Sequence, residues 1–342
     1  MQLPSARGPV SARVVDALRT GARPEVGALS RDVTARASVA EVLTDDDLHA
    51  ALWVLYELHF RGFDDVDEDR EWDPDLLAVR ASLEAVFEEA LREVTRPRVE
   101  AALAGAGDVA DRLFAMTEAE SGPSLARFLQ REATAEQLRE FLVQRSAYHL
   151  KESDPQSFVL PRLDGAPKVA LAELQYDEYG GGRTERLHAT MFGDALEACG
   201  LSREYGAYLD ETPGHVLAVN NAMSMFGLHR RLRGAALGHL GAFEATSSMP
   251  CRRIASGIRR LDLPEAVAAY FDEHVEADAV HEQVAFRDIC AAVVAEQPRL
   301  LPDVLFGAAT CLHLDAVSGG LLLDAWTNPR PGSWTMATEP VA

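Results

Sequence analysis

Apolar residues recur at three- and four-residue intervals through long stretches rich in Ala, Leu, Glu and Arg, and alternating β-branched runs are nearly absent. A helix brings such positions onto one face, so the pattern predicts an all-α protein. Thr44 and the three aspartates after it read as a helix start, with Thr44 as cap and the acids at the positive end. That helix runs through ALWVLYELHF to Gly62, and the next spans about Pro74 to Val94, ahead of Pro97. Two more helices are expected between about 107 and 150, followed by a proline-broken loop, SDPQSFVLPRLDGAPK. Helical stretches then cover 168–199 (interrupted at Gly180–Gly182), Pro213 to about Ser247, Pro264 to about Gln297 and Val304 to Trp326. This division gives a loosely ordered arm over 1–30 with at most a short helix, a helical region over 31–135, a helical core over 136–326 and a tail over 327–342.

Charge narrows the choice of partner. The 342 residues are 47% apolar and 25% charged, but 54 acids face 33 Lys and Arg, a net charge of −21. Phosphate backbones and anionic bilayers are repelled by such a surface, which argues against nucleic acid and membrane partners. No apolar run approaches the ~20 residues of a membrane span, and the amino terminus has no unbroken apolar block. Cys199, Cys251, Cys290 and Cys311 are widely spaced, without a C-x-x-C pair, so a reduced, cytoplasmic setting is expected.

The sharpest local pattern is His274-x-x-x-Asp278-x-x-His281. At about 100° per residue these three side chains fall within about 60° of one another, giving two imidazoles and a carboxylate on one helix face. By chance, a chain with ten histidines and 54 acids holds roughly 0.05 such triplets, so a metal-ligating face is the stronger reading. A second pattern is DEYGGGRTERLH, where Glu178 and His188 flank three glycines. The glycines either permit a bulge or close helix approach that brings the two together, or simply end the helix and leave Glu178 in solvent. Glu185-x-x-His188 is a further possible ligand pair. Gly180–Gly182 follow no strand, which argues against a nucleotide loop. Arg183 and Arg186 read as surface ion pairs, Met223, Met225 and Phe226 as core, and His149 with the six remaining histidines as core or surface.

Taken together, AELQYDEYGGGRTERLH and the later HVEADAVH resemble the haem-oxygenase-like diiron oxidases and oxygenases, over about residues 140 to 325. The resemblance implies a haem-oxygenase-like helical bundle over the 136–326 core, carrying an added N-terminal helical layer. It also implies a dimetal site built from Glu178, His188, Glu244, His274, Asp278 and His281. Some members add a glutamate from an earlier helix, for which Glu152 lies at the matching distance, while Glu244 is placed by its spacing to His274. Four carboxylates, Glu152, Glu178, Glu244 and Asp278, offset the +4 of two ferrous ions and leave three neutral histidines to complete the ligand field.

What the resemblance implies is an enzyme using two Fe(II) ions, O2 and an external electron donor, since no flavin or nicotinamide fingerprint is visible. Likeness to the N-oxygenating branch points to N-oxygenation of a small amine or amino-acid-derived substrate in a biosynthetic pathway, and homodimerisation is expected on the same ground. Oxidative C–C cleavage or desaturation by the same centre is the alternative. A ferritin-like iron-handling protein should carry two E-x-x-H motifs where this chain has one, and a metal-free helical scaffold is the remaining reading.

Overall fold

The computed structural model describes residues 1–24, 38–119 and 124–329; the side chains of 276–280 lie outside the described residues. Within these bounds every regular element is helical and no strand occurs. The helices are α1 Pro9–Thr20, α2 Val39–Thr44, α3 Asp46–Glu57, α4 Pro74–Ala104, α5 Val109–Glu118, α6 Leu125–Arg131, α7 Ala135–His149 and the single turn α8 Asp154–Ser157. They continue with α9 Gly165–Glu178, α10 His188–Ala198, α11 Gly214–Leu228, α12 Arg233–Arg260, α13 Glu265–Gln283, α14 Ala292–Glu296 and α15 Leu301–Thr327. A π-helical stretch, Val284–Ala291, joins α13 to α14.

Local chemistry sets these boundaries. Asp45, one residue after the expected Thr44, caps α3 by accepting from Leu48 N at 2.7 Å, while the Thr44 hydroxyl donates back to Ala40 O and closes α2. Asp73 caps α4 ahead of Pro74, whose missing N–H costs nothing at the first turn. Contrary to the expected stop before Pro97, α4 runs ten residues past Val94, to Ala104. Pro97 lies on the exposed side, where the carbonyl it orphans is solvated. Likewise α12 passes through Pro250 to Arg260 instead of ending near Ser247, and the chain breaks earlier, at His229.

The amino-terminal expectation also needs correcting. Residues 9–20 form a full helix that packs on α3, with Val10, Val14 and Leu18 buried, so the described part of the 1–30 arm is held by its apolar face. Asp47 fixes its start by accepting from Val10 N at 2.9 Å and Ser11 N at 2.7 Å. Residues 25–30 of that arm, and 330–342 of the expected tail, lie outside the described residues.

Helix α12 is the axis of the core, packing along both α13 and α15. The Pro298–Thr327 segment is long and apolar enough to cross a membrane, yet most of its apolar stretch is buried inside the protein. It acts here as a core helix against α4, α11 and α12. The α12–α15 crossing depends on glycine at both sides: a Cβ at Gly238 would land on the carbonyl oxygen of Val304, and one at Gly307 on that of Ala235.

A buried ion pair helps tie the N-terminal layer to the core, Lys151 Nζ to Glu57 Oε2 at 3.0 Å. Tyr205 donates to the same carboxylate oxygen at 2.7 Å, and the ammonium lies 4.3 Å from the Phe60 ring centre and 5.3 Å from that of Trp53. Replacing Gly238 or Gly307 with alanine is expected to force α12 and α15 apart, at a cost on the order of 3 kcal/mol, read as a lowered midpoint in chemical denaturation.

Candidate metal centre

Glycine geometry decides how Glu178 and His188 are related. Glu178 is the last residue of α9 and His188 the first of α10, and between them Gly180, Gly181 and Gly182 all take positive φ. A Cβ at Gly180 would strike the Arg186–Leu187 peptide, so the reversal is too tight for any side chain there. The glycines end the helix and fold the chain back, leaving His188 Nδ1 3.0 Å from Glu178 Oε2. Glu185 stays exposed and takes no part.

Three other stretches converge on that pair. Glu152 sits in the turn after α7, Glu244 midway along α12, and His274 and His281 two turns apart on α13. All six residues are at most 6% exposed. Donor atoms of Glu152, Glu178, His188 and His274 lie within 4.8 Å of one another, as do those of Glu178, Glu244 and His281. Glu178 therefore belongs to both groups. The structure gathers six of the seven expected ligands; the Asp278 side chain lies outside the described residues, its helix position falling between His274 and His281.

His274 and His281 are each aimed by a contact on the far side of the ring. His274 Nδ1 faces the Tyr270 carbonyl oxygen at 2.8 Å, which turns Nε2 inward, 3.6 Å from Glu152 Oε1. His281 Nε2 meets Asp177 Oδ2 at 3.4 Å, leaving Nδ1 3.4 Å from Glu244 Oε2 and 3.7 Å from Glu178 Oε1. Glu152 is held by the Tyr270 hydroxyl, which donates to Oε2 at 2.7 Å, and by His149 Nδ1, 3.0 Å from Oε1. Tyr270 and His149 also touch each other at 2.6 Å. Ser153, next in the chain, takes a left-handed φ of 66° and is pinned by Gln175, whose amide donates to the Ser153 carbonyl at 2.9 Å.

These supporting residues carried weak sequence signals. Tyr270 is one helical turn before His274, Asp177 adjoins Glu178, and His149 is three residues before Glu152. His149 fits the expected core histidine in being largely buried, but it has a specific partner that sequence could not reveal. Arg186 forms the expected surface ion pair, with Glu273. Met223, Met225 and Phe226 are all buried core, with Met223 and Phe226 also lining a small cavity beside His239.

Mutual charge and burial shift the titrating groups of the cluster. Burial lowers the His281 pKa, but Glu244, Glu178 and Asp177 outweigh it and raise the value to about 9. For His188, too, burial is overcome by Glu178 and the net shift is upward. Burial raises Glu152, yet His149 and His274 draw it well below the usual carboxylate range. Protons on imidazoles thus stand in for positive charge that the buried acids require. Carboxylate and imidazole donors without a thiolate suit iron or manganese better than a structural zinc site, so the residues present fit iron.

Comparison with known proteins agrees with this chemistry. Residues 139–316 match the family described as iron-containing redox enzymes. The chain belongs to that family. Among its relatives, a nitrosourea synthase from Streptomyces achromogenes subsp. streptozoticus is 26% identical over 170 residues, which is 49% of this chain and 36% of the relative. The chain thus aligns with about a third of that protein's length. Its buried Glu and His cluster fits the iron binding for which that family is described.

Two outcomes follow from the contacts around the cluster. Tyr270→Phe leaves the ring in place but removes the hydrogen bond to Glu152, and is expected to weaken iron binding about 10- to 100-fold in competition with a chelator. In the metal-free protein, the raised His281 pKa makes its stabilising contribution complete below its ordinary value of 6.5 and lost as pH climbs through about 9. Thermal denaturation of the apo form should therefore show a fall in midpoint between these values that is reduced in His281→Gln.

Proposed function

We propose that this protein is an O2-dependent non-haem diiron oxygenase that N-oxygenates a small amine or amino-acid-derived substrate. The observation that carries the reading is the pair of buried ligand groups sharing Glu178. One ion would be held by Glu152, Glu178, His188 and His274, and the other by Glu178, Glu244 and His281, with Asp278 completing the set. When bound, the iron pair supplies electrons to O2 and the oxidising power that reaches the substrate. The overall conversion balances as amine plus O2, two electrons and two protons giving hydroxylamine and water, the electrons coming from an external reductant.

The chain's own residues prepare that chemistry. Glu178, placed at the glycine reversal, holds the two groups at a fixed separation. Tyr270 and His149 keep the Glu152 carboxylate oriented, and the Tyr270 carbonyl presents His274 through Nε2. Burial of all six ligands restricts water, which strengthens every charge interaction among them. The distant relationship to a nitrosourea synthase supports N-oxygenation over other outcomes. The exposure of Glu185 speaks against a ferritin-like centre, because the chain's one E-x-x-H pair is not assembled at the cluster.

Anaerobic Fe(II) loading followed by metal analysis should give two ions per chain. Glu244→Ala should lower this to one, and Glu178→Ala, which breaks both groups, should strip both; unchanged iron in Glu178→Ala would contradict the shared-ligand arrangement. With O2, reductant and candidate amines, mass spectrometry should detect a product heavier by one oxygen on nitrogen. Cleavage or desaturation products alone would reject N-oxygenation and keep the diiron centre.

A further inference from the structure

Basic residues are scarce in this chain, 33 against 54 acids, yet two packed helices collect them without an acid among them. All of α6 and residues 245–260 of α12 carry Arg127, Arg131, Arg252, Arg253, Arg259 and Arg260, and neither aspartate nor glutamate. The two helices lie close together: a Cβ at Gly257 would strike the Leu129 carbonyl oxygen, and Arg260 donates to the carbonyls of Gln130 at 2.8 Å and Ala133 at 2.7 Å. Their charges therefore add over one stretch of surface.

Most of that charge acts outward. Arg259 is met by Glu265 and Asp272 of α13, whereas Arg260 bonds only neutral carbonyls and keeps its charge. Arg127, Arg131, Arg252 and Arg253 enter no ion pair among the described residues; three of them are exposed and Arg253 is half-buried. Charges left unneutralised in this way steer a partner of opposite sign and suppress wrong ones. Met249, 55% exposed, lies one helical turn before Arg252 and Arg253. Methionine and arginine are both enriched where proteins meet.

This face also covers a support of the metal centre. Cys251 directly precedes Arg252 and packs against the apolar cluster that contains Tyr270. Burial, Glu152 and the Cys251 thiol all raise the Tyr270 pKa, which places Cys251 near the phenol that donates to Glu152. Cys251 and Tyr270 thus stand between the arginines and the buried Glu and His cluster.

We propose that this arginine face docks an acidic one-electron carrier protein, a ferredoxin or a flavodoxin, with Met249 inside the contact and Arg127, Arg131, Arg252 and Arg253 around it. Most of the chain, at net charge −21, repels an acidic protein, so such a partner is steered to this face. Proximity to Tyr270 and Glu152 favours a redox protein over other acidic partners. The carrier's role as reductant rests on the function proposed above; the preference of the face for an acidic protein does not. Two encounters per O2 balance the reaction: each oxidises the carrier by one electron, and two protons from water complete the conversion of amine and O2 to hydroxylamine and water.

The test is calorimetric titration of the whole chain, metal-free and iron-loaded, with a plant-type ferredoxin and with a flavodoxin. At least one carrier should bind, more weakly as salt is raised. Arg127→Glu with Arg131→Glu, and separately Arg252→Glu with Arg253→Glu, should each weaken binding roughly tenfold at unchanged iron content and helicity. Arg127→Lys with Arg131→Lys should keep most of it, and Arg96→Glu, exposed on α4, should leave it unchanged. In the iron-loaded, oxidised chain the same reversals should slow electron transfer from the reduced carrier, followed anaerobically by the carrier's own absorbance. Absence of binding by both carriers, binding that neither reversal weakens, or an equal loss in Arg96→Glu overturns the proposal. Iron content separates the two readings: a chain that takes up no iron yet binds the carrier through these arginines supports the surface and removes the diiron function, while normal iron loading without carrier binding removes the surface alone.

Discussion

Three carboxylates and three imidazoles packed into a helical interior are the constraint on which the rest of the molecule depends. Acids at this depth are tolerated only when positive charge accompanies them, and within the cluster that charge is carried either by protons, as the elevated His281 and His188 indicate, or by metal ions. The surrounding architecture holds this unfavourable grouping in place. Glycine reversal fixes one pair of ligands, the α12–α15 crossing fixes the helix that presents Glu244, and α13 aligns two histidines.

Glu152 shows how far the support extends. Its backbone lies between Lys151, locked to Glu57 of α3, and Ser153, held in a left-handed conformation by Gln175 of α9. Its side chain is held by Tyr270 of α13 and by His149 at the end of α7. One carboxylate therefore depends on the N-terminal layer and on three separate core helices. The layer is in this sense part of the site, although it supplies no ligand.

Helical periodicity made the all-α class and most core helices legible, and the His274 to His281 spacing identified a helix face whose two histidines join the buried cluster. Boundaries were misread where proline lies on a solvated face, as at Pro97, because its cost depends on exposure that sequence does not give. The amino-terminal helix was missed as a packed element because its anchor is Asp47, 36 residues beyond Ser11. Glu178 and His188 were found as candidates, but whether the glycines joined or separated them depended on a turn geometry that two readings fitted equally. Tyr270, Asp177 and His149 remained hidden because their roles arise only from contacts between distant segments.

The wide spread of the ligands along the chain has a kinetic consequence. Glu152 and His281 are separated by most of the core's length, so no local fragment can assemble either group in full. Their meeting requires the closure of long loops, which occurs after nearby helices have already paired. The nascent polypeptide consequently lacks the finished Glu and His cluster through most of its synthesis.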